Sequence, residues 1–102
     1  MSTETIIKVE LATSEALYKG AMAIRKQVFV KEQRIPESKE FDGNDFCAAH
    51  VVAYVQKNNR RLPIGTMRIR FFSDFVKFER MAVIRNFRKT NVAEDIMQYG
   101  LK

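Results

Sequence analysis

Residues Arg88 to Met97 read RKTNVAEDIM and follow the strand-like run FERMAVI, Phe78 to Ile84. A strand, a short basic turn and a helix in that order can hold a phosphate. The first turn of a helix has unpaired N–H donors and a partial positive charge, so main chain alone can bind a diphosphate. A turn that lets phosphate approach the backbone usually carries glycine, and here Asn91 stands in that place. Asparagine is among the better non-glycine residues at positive φ, although its side chain crowds the approach. Lys89 and Arg85 can supply compensating charge. Without its surroundings, RKTNVAED reads more simply as a plain helix start.

On the strand, Glu79 shares a face with Met81 and Val83 if the strand is regular, and a carboxylate there can take a proton from an amine, directly or through water. The competing reading is an ion-paired residue beside Arg80 and Arg68. Other reactive side chains are isolated. His50, at a strand start, is expected to be packed or hydrogen-bonded rather than catalytic, and Cys47 lacks a Cys/His/Asp constellation and is expected to be buried or inert. Glu37, Glu40, Asp42 and Asp45 match no calcium-loop spacing. They are expected to form a solvated loop, the sharper alternative being an electronegative rim for a cationic amine. No metal site is expected.

The elements that must position these residues follow from periodicity. Ile6 to Leu11 reads as a first strand, and Thr13 or Ser14 offers an N-cap to a helix with Glu15 in its first turn. Leu17, Ala21, Ile24 and Val28 recur at steps of four, three and four, and the pattern carries on to about Glu32 before Pro36. PESKEFDGNDF is loop-like. His50 to Gln56 reads as a second strand, KNNRRLP as a polar connection, and Ile64 to Phe72 as the returning arm of a hairpin. Alternation along that arm places Ile64, Thr66, Arg68 and Arg70 on one face and Gly65, Met67, Ile69 and Phe71 on the other. After a tight turn at Ser73–Asp74, Phe75 to Ile84 forms a fourth strand. Asn91 to about Leu101 forms a last helix with Val92, Ile96 and Tyr99 on one side. The order is β-α-β-β-β-α.

A chain of 102 residues with 46% apolar content supports one core and one domain, residues 1–102. Its net charge of +6 favours anionic ligands. The charge is uneven: Lys57 to Lys89 holds ten basic residues and two acids, a net +8, leaving −2 for the remainder. No recognised RNA or DNA motif accompanies the basic residues, which argues against nucleic acid as the partner. A single cysteine excludes an internal disulfide framework and fits a reducing compartment. The polar start MSTETIIKVE does not resemble a signal peptide, and no run approaches membrane-spanning length. A soluble, intracellular, cytoplasmic protein without a membrane partner is expected.

Three stretches converge on one family. IRKQVFVKEQRIPESKEFDGND, the pair AAHVVAYV and PIGTMRIR, and FERMAVIRNFRKTNVAEDIM resemble, in order and spacing, the N-terminal two-thirds of a GCN5-related N-acetyltransferase (GNAT), the first stretch being similar to the ElaA-like group. The resemblance implies an α/β (α+β) acyl-CoA N-acyltransferase-like fold, a mixed and mainly antiparallel sheet flanked by helices, here truncated after the pyrophosphate-loop helix. It implies acetyl-CoA as cofactor and a small-molecule or peptide amine as acceptor, acetylated by direct attack. In the family's turn, of pattern Q/R-x-x-G-x-G/A, Arg88 matches the leading position, Lys89 and Thr90 the variable pair, Asn91 the first glycine, Val92 the variable site and Ala93 the tolerated G/A. Met81, Ala82 and Val83 match the strand whose backbone pairs with pantetheine, and Glu79 is the candidate base. The fifth strand and the tyrosine that protonates the departing thiolate would lie beyond Lys102, where Tyr99 is no match. The alternative implied by these departures is a catalytically silent domain that binds CoA weakly or serves in protein interaction. An uncovered fourth strand would also offer an edge for a homodimer.

Overall fold

The computed structural model describes residues 6–102; residues 1–5, the polar start of the chain, lie outside them. β1 (Ile6–Leu11) leads into α1 (Glu15–Arg25), whose N-cap is Ser14: its backbone is extended and its Oγ accepts the Leu17 N–H at 3.2 Å. The expected helix face is the buried one, with Leu17, Ala21, Ile24 and Val28 all in the core. Beyond Arg25 the chain keeps turning as far as expected but winds wider, because Lys26–Glu32 is π-helical. The Gln33 N–H reaches back to the Val28 carbonyl at 3.1 Å, a span of five residues. The acidic segment is more ordered than a loop, with a short helix α2 (Glu37–Glu40) and a 3-10 turn at Asp45–Cys47.

β2 (Ala48–Lys57), β3 (Arg60–Phe71) and β4 (Val76–Val83) complete an antiparallel sheet in the order β1-β2-β3-β4, and α3 (Val92–Gly100) closes the chain. The fold is α+β, as expected. The β2–β3 connection is tighter than expected. Asn58 and Asn59 both take left-handed φ, 53° and 64°, and make a two-residue turn whose twist suits a hairpin, so the strand restarts at Arg60 rather than Ile64. Asparagine tolerates that geometry without glycine.

Two irregularities set the faces of the sheet. Ala53 opposes Gly65 while Tyr54 opposes Pro63, so Ile64 is an extra residue in β3, placed where a proline without an N–H interrupts the ladder. Ile64 therefore joins Met67 and Ile69 under α3 instead of sharing a face with Thr66 and Arg68. One layer of core packs Val51, Ala53, Val55, Ile64, Met67 and Ile69 against Val92 and Ile96 of α3. The other packs Leu17 and Ala21 on Val52 and Tyr54, and Ile24 and Val28 on Ala82. α3 crosses so close to β3 that a Cβ on Gly65 would lie 2.8 Å from Ile96 Cδ1 and 3.2 Å from Val92 Cγ1. Gly65 is the residue that lets the last helix lie flat.

Ile96 has no exposed surface. Ile96→Ala is expected to lower unfolding free energy by about 2–5 kcal/mol, the range for emptying a packed site. Chemical denaturation measures this, and an unchanged midpoint would show that α3 is not docked as described.

Candidate functional site

β4 lies at the edge of the sheet, paired on one side with β3. Arg68 opposes Glu79 and Thr66 opposes Ala82, so three steps along β4 match two along β3. The extra residue sits at Arg80, whose φ of 57° is left-handed. This bulge overturns one expectation: the strand is not regular, and Glu79 faces Arg68 on the α1 side while Met81 and Val83 pack on the α3 side. Ala82, not Met81, shares the Glu79 face, where it meets Ile24 and Val28.

Past the bulge the chain makes a 3-10 turn, Arg85–Phe87, and then enters α3. Asn91 is the N-cap with φ −87°, so the turn does not use the left-handed conformation for which a glycine was expected, and the Asn91 side chain makes no capping bond. Thr90 caps instead: its Oγ1 accepts the Val92 N–H at 3.3 Å and donates to the Phe87 carbonyl at 2.5 Å. Glu94 and Asp95 occupy the first turn. Val92 is buried beneath the helix, so only its backbone can face a ligand, whereas Lys89, Thr90 and Asn91 are exposed.

A cleft of about 370 Å³ opens where these parts meet. It brings together five of the residues singled out from sequence, Met81, Ala82, Val83, Arg88 and Ala93, with Val28 and Gln33 of the π-helical turn and Phe87. Arg88 forms one wall: its Nε donates to the Val83 carbonyl at 2.7 Å and its Nη2 to Glu32 Oε2 at 2.5 Å. Val28, Gln33 and Phe87 were not anticipated as lining residues. The π turn that carries the first two has no strong sequence signal.

Beside the cleft lies a buried ionic cluster. Arg25 and Arg68 have no exposed surface. Arg25 donates to Glu40 Oε2 (2.7 Å), the Glu40 carbonyl (2.8 Å) and Asp45 Oδ1 (2.7 Å). Arg68 donates to both Asp42 oxygens (2.8 and 3.0 Å), to Asp45 Oδ1 (3.0 Å) and to Glu79 Oε1 (2.8 Å). Arg80, displaced by the bulge, reaches Asp42 at 3.2 Å, and its Nε lies 3.0 Å from Glu40 Oε1 but off the N–H axis, an ion pair without an aligned hydrogen bond. Glu40 and Asp45 are therefore buried partners rather than a solvated loop or a rim for a cationic amine, whereas Glu37 and Asp42 are exposed, Asp42 with both oxygens held by Arg68. Glu79 is ion-paired on every side, with Arg70, Lys77 and Arg80 within 3.8 Å as well as Arg68. A readable hint existed: Arg25 falls on the helix face of Leu17, Ala21 and Ile24, and a cation there needs an anion.

Hydrogen bonding from Arg68 holds the Asp42 carboxyl far below the usual carboxylate range. Burial pushes Asp45 up, but hydrogen bonds and charge from Arg25 and Arg68 outweigh it and its net shift is downward. His50 is packed and hydrogen-bonded, as expected. Its Nε2 donates to the Asp45 carbonyl at 3.1 Å and Tyr18 meets its ring edge-on at 5.3 Å, while Nδ1 is buried with no partner among the described residues. Burial lowers its pKa. Cys47 is exposed rather than buried. Among the described residues no group of three or more His, Cys, Asp or Glu is arranged to hold a metal ion, and no helix is long and apolar enough to cross a membrane.

These shifts fix the sign of acid sensitivity. A neutral buried His50 contributes stability that is present above its unfolded value of 6.5 and is lost as pH falls below it. Asp42 and Asp45 contribute stability that is present above 3.8 and is lost as pH falls toward their depressed folded values. The melting temperature is expected to drop in two stages, below about pH 6.5 and again below about pH 4, with His50→Gln flattening the first. A constant melting temperature from pH 7 to 5 would show that His50 is not held neutral.

No family model matches the chain. A protein of Bacillus subtilis (strain 168) provisionally named an acetyltransferase is 36% identical over 94 residues, 89% of this chain and 61% of its own length. YjcF of the same organism, named an uncharacterized N-acetyltransferase, is 33% identical over 92 residues, 90% of this chain and 63% of its own. The crystal structure of a provisionally named N-acetyltransferase from Lactobacillus plantarum superposes with a TM-score of 0.82 at 28% identity, covering 92% of this chain and 64% of that one. Escherichia coli ElaA superposes at 0.76 and 24% identity, covering 94% and 68%, a likeness of fold. The chain spans about three-fifths of the length of the curated relatives it matches. Sequence and fold point the same way: over the part that it spans, the chain is similar in sequence to proteins named N-acetyltransferases and has the acyl-CoA N-acyltransferase fold of its structural neighbours.

Proposed function

We propose that residues 1–102 form a GNAT domain, the cofactor-binding part of an acetyl-CoA-dependent N-acetyltransferase acting on a primary amine. The observation that carries this reading is the single cleft into which the β4 backbone, Arg88 and the start of α3 all open. Its residues suit coenzyme A. Backbone groups of Met81 to Val83 on the open side of β4 can pair with the amides of pantetheine as a neighbouring strand would. The N–H groups of the first turn of α3, with Arg88, Lys89 and Arg85 beside them, suit a pyrophosphate. When bound, the cofactor supplies the activated acetyl group. This chain's residues orient the thioester and polarise its carbonyl through strand N–H donors.

Two features keep affinity modest. Glu94 and Asp95 bring negative charge to the turn that must receive phosphate, and Arg88 is already shared between Val83 and Glu32. Glu79, expected as the base, has its oxygens taken by guanidinium groups, and we assign it the holding of Arg68 and Arg80 rather than deprotonation of the amine. That same observation favours a second reading, a CoA-binding or protein-interaction module without turnover. Acetyl transfer to a panel of primary amines separates the two.

In calorimetry CoA and acetyl-CoA are expected to bind weakly, and Asn91→Gly is expected to bind more tightly, since Asn91 is the exposed N-cap of α3 and its side chain caps nothing. Absence of binding heat for both proteins would remove the cofactor reading. The open side of β4 also suits a second copy of the chain pairing by strand addition. Size exclusion with light scattering is expected to show a dimer that dissociates when CoA occupies the edge. A monomer at high protein concentration would rule that pairing out.

A further inference from the structure

The β2–β3 hairpin carries charge that neither the fold nor the cleft accounts for. Lys57 and Arg60 stand directly opposite each other across the two-residue turn. Like charges facing each other across an antiparallel pair destabilise it. Strand alternation puts both on the α3 side, since Val55, two residues before Lys57, is part of the core under α3, and Leu62, two after Arg60, opposes Val55. Among the described residues neither Lys57 nor Arg60 takes part in an ion pair; the cations that do lie elsewhere, in α1, the π-helical turn, β3 beyond Ile64, β4 and the turn after it. Arg61 points to the opposite face, its guanidinium 5.1 Å from the centre of the Tyr54 ring.

Around the cation pair is an open hollow of about 780 Å³, lined by Val55, Lys57, Asn58, Arg60, Arg61 and Leu62. It lies at the same end of the sheet as the start of α3. The Ile84 N–H donates to the Ile64 carbonyl at 2.9 Å, and Val92 sits over Gly65, so the hairpin projects beyond the point where β4 ends and α3 begins.

We infer that this face of the hairpin binds a phosphomonoester. Two facing cations with no carboxylate match a group that carries nearly two negative charges at neutral pH. Arginine adds paired N–H donors in the geometry a phosphate accepts. The lining holds no aromatic ring, which disfavours single-stranded nucleic acid, whose bases need stacking surfaces. The chemistry has two sources: the 3′-phosphate of the CoA whose pyrophosphate the proposed function assigns to the start of α3, or a separate phosphorylated small molecule. Only the first rests on that proposed function.

The test compares CoA with dephospho-CoA, which lacks only the 3′-phosphate, by calorimetry on the full chain and on Lys57→Ala/Arg60→Ala. Amide spectra of both proteins are also recorded with inorganic phosphate. Both substitutions lie at an exposed turn and leave the two cores untouched. The unsubstituted chain is expected to prefer CoA by roughly fivefold, the scale of one exposed charge pair, and the double variant to lose that preference. Equal binding of the two cofactors with phosphate-dependent shifts at Lys57 to Leu62 keeps the site and assigns it to a separate phosphate compound. No cofactor binding with those shifts present overturns the CoA reading and keeps the site. Equal or absent cofactor binding with an unperturbed hairpin overturns this inference.

Discussion

Two fully buried guanidinium groups, Arg25 and Arg68, tie the acidic segment to α1 and to the sheet. Arg25 comes from the end of α1, Arg68 from the middle of β3, and they meet on one oxygen of Asp45, at 2.7 and 3.0 Å. Removing such a charge from water costs several kcal/mol, and the cost is recovered only when every donor finds an acceptor. Here Glu40, Asp42 and Glu79 complete the set, and with Arg70, Lys77 and Arg80 at the margin the cluster reaches five cations and four anions. Each buried cation has more than one carboxylate partner, Arg25 with Glu40 and Asp45 and Arg68 with Asp42, Asp45 and Glu79, and Asp45 is the one anion that serves both. A segment with almost no apolar residues is thereby fixed against the sheet.

The cluster also explains the bulge in β4. A regular strand would turn Arg80 and Glu79 to opposite faces, yet both side chains contact the acidic segment, Arg80 at Glu40 and Asp42 and Glu79 through Arg68. Inserting one residue in a left-handed conformation brings them together, and the sterically unfavourable φ of 57° at Arg80 is offset by its ion pairs. The same insertion shifts the register of the rest of β4. It turns Ala82 toward Ile24 and Val28 and leaves Met81 and Val83 on the α3 side, which opens the cleft between β4, the π-helical turn and α3. The cleft is thus a downstream consequence of buried charge.

Local signals survived into the structure where one physical rule acted alone. The cap at Ser14, one of the two residues read for it, the buried stripe from Leu17 to Val28 and the limits of β1 follow from capping and periodicity. The start of β3 is misplaced for a local reason, the left-handed Asn58–Asn59 turn, but the misplaced site features depend on partners distant in sequence. Alternation alone puts Glu79 on the wrong face because the bulge answers to Glu40 and Asp42, nearly forty residues earlier. The acidic segment reads as solvated because the arginines that neutralise it lie in α1 and β3. Within the candidate site, the basic turn and the strand before it were legible. The wall from Val28 and Gln33 was not, because π winding depends on tertiary packing more than on local residue preference.

Charge provides the last link between frame and function. Composition shows a modest +6, and three carboxylates of the first half, Glu40, Asp42 and Asp45, are held in the cluster, where they neutralise Arg25, Arg68 and Arg80. The cluster withdraws nearly equal numbers of cations and anions, so the net charge is carried by the remaining residues and gathers toward one end of the sheet. Lys57, Arg60 and Arg61 on the hairpin and Arg85 and Lys89 in the turn before α3 share that end, and Glu32 draws on Arg85 and Arg88 alone. A field of that kind raises the local concentration of an approaching phosphate over roughly a Debye length. The carboxylates of Glu94 and Asp95 oppose it at contact, within the first turn of the helix. Long-range attraction and short-range opposition therefore act together on any polyphosphate that approaches this end of the sheet.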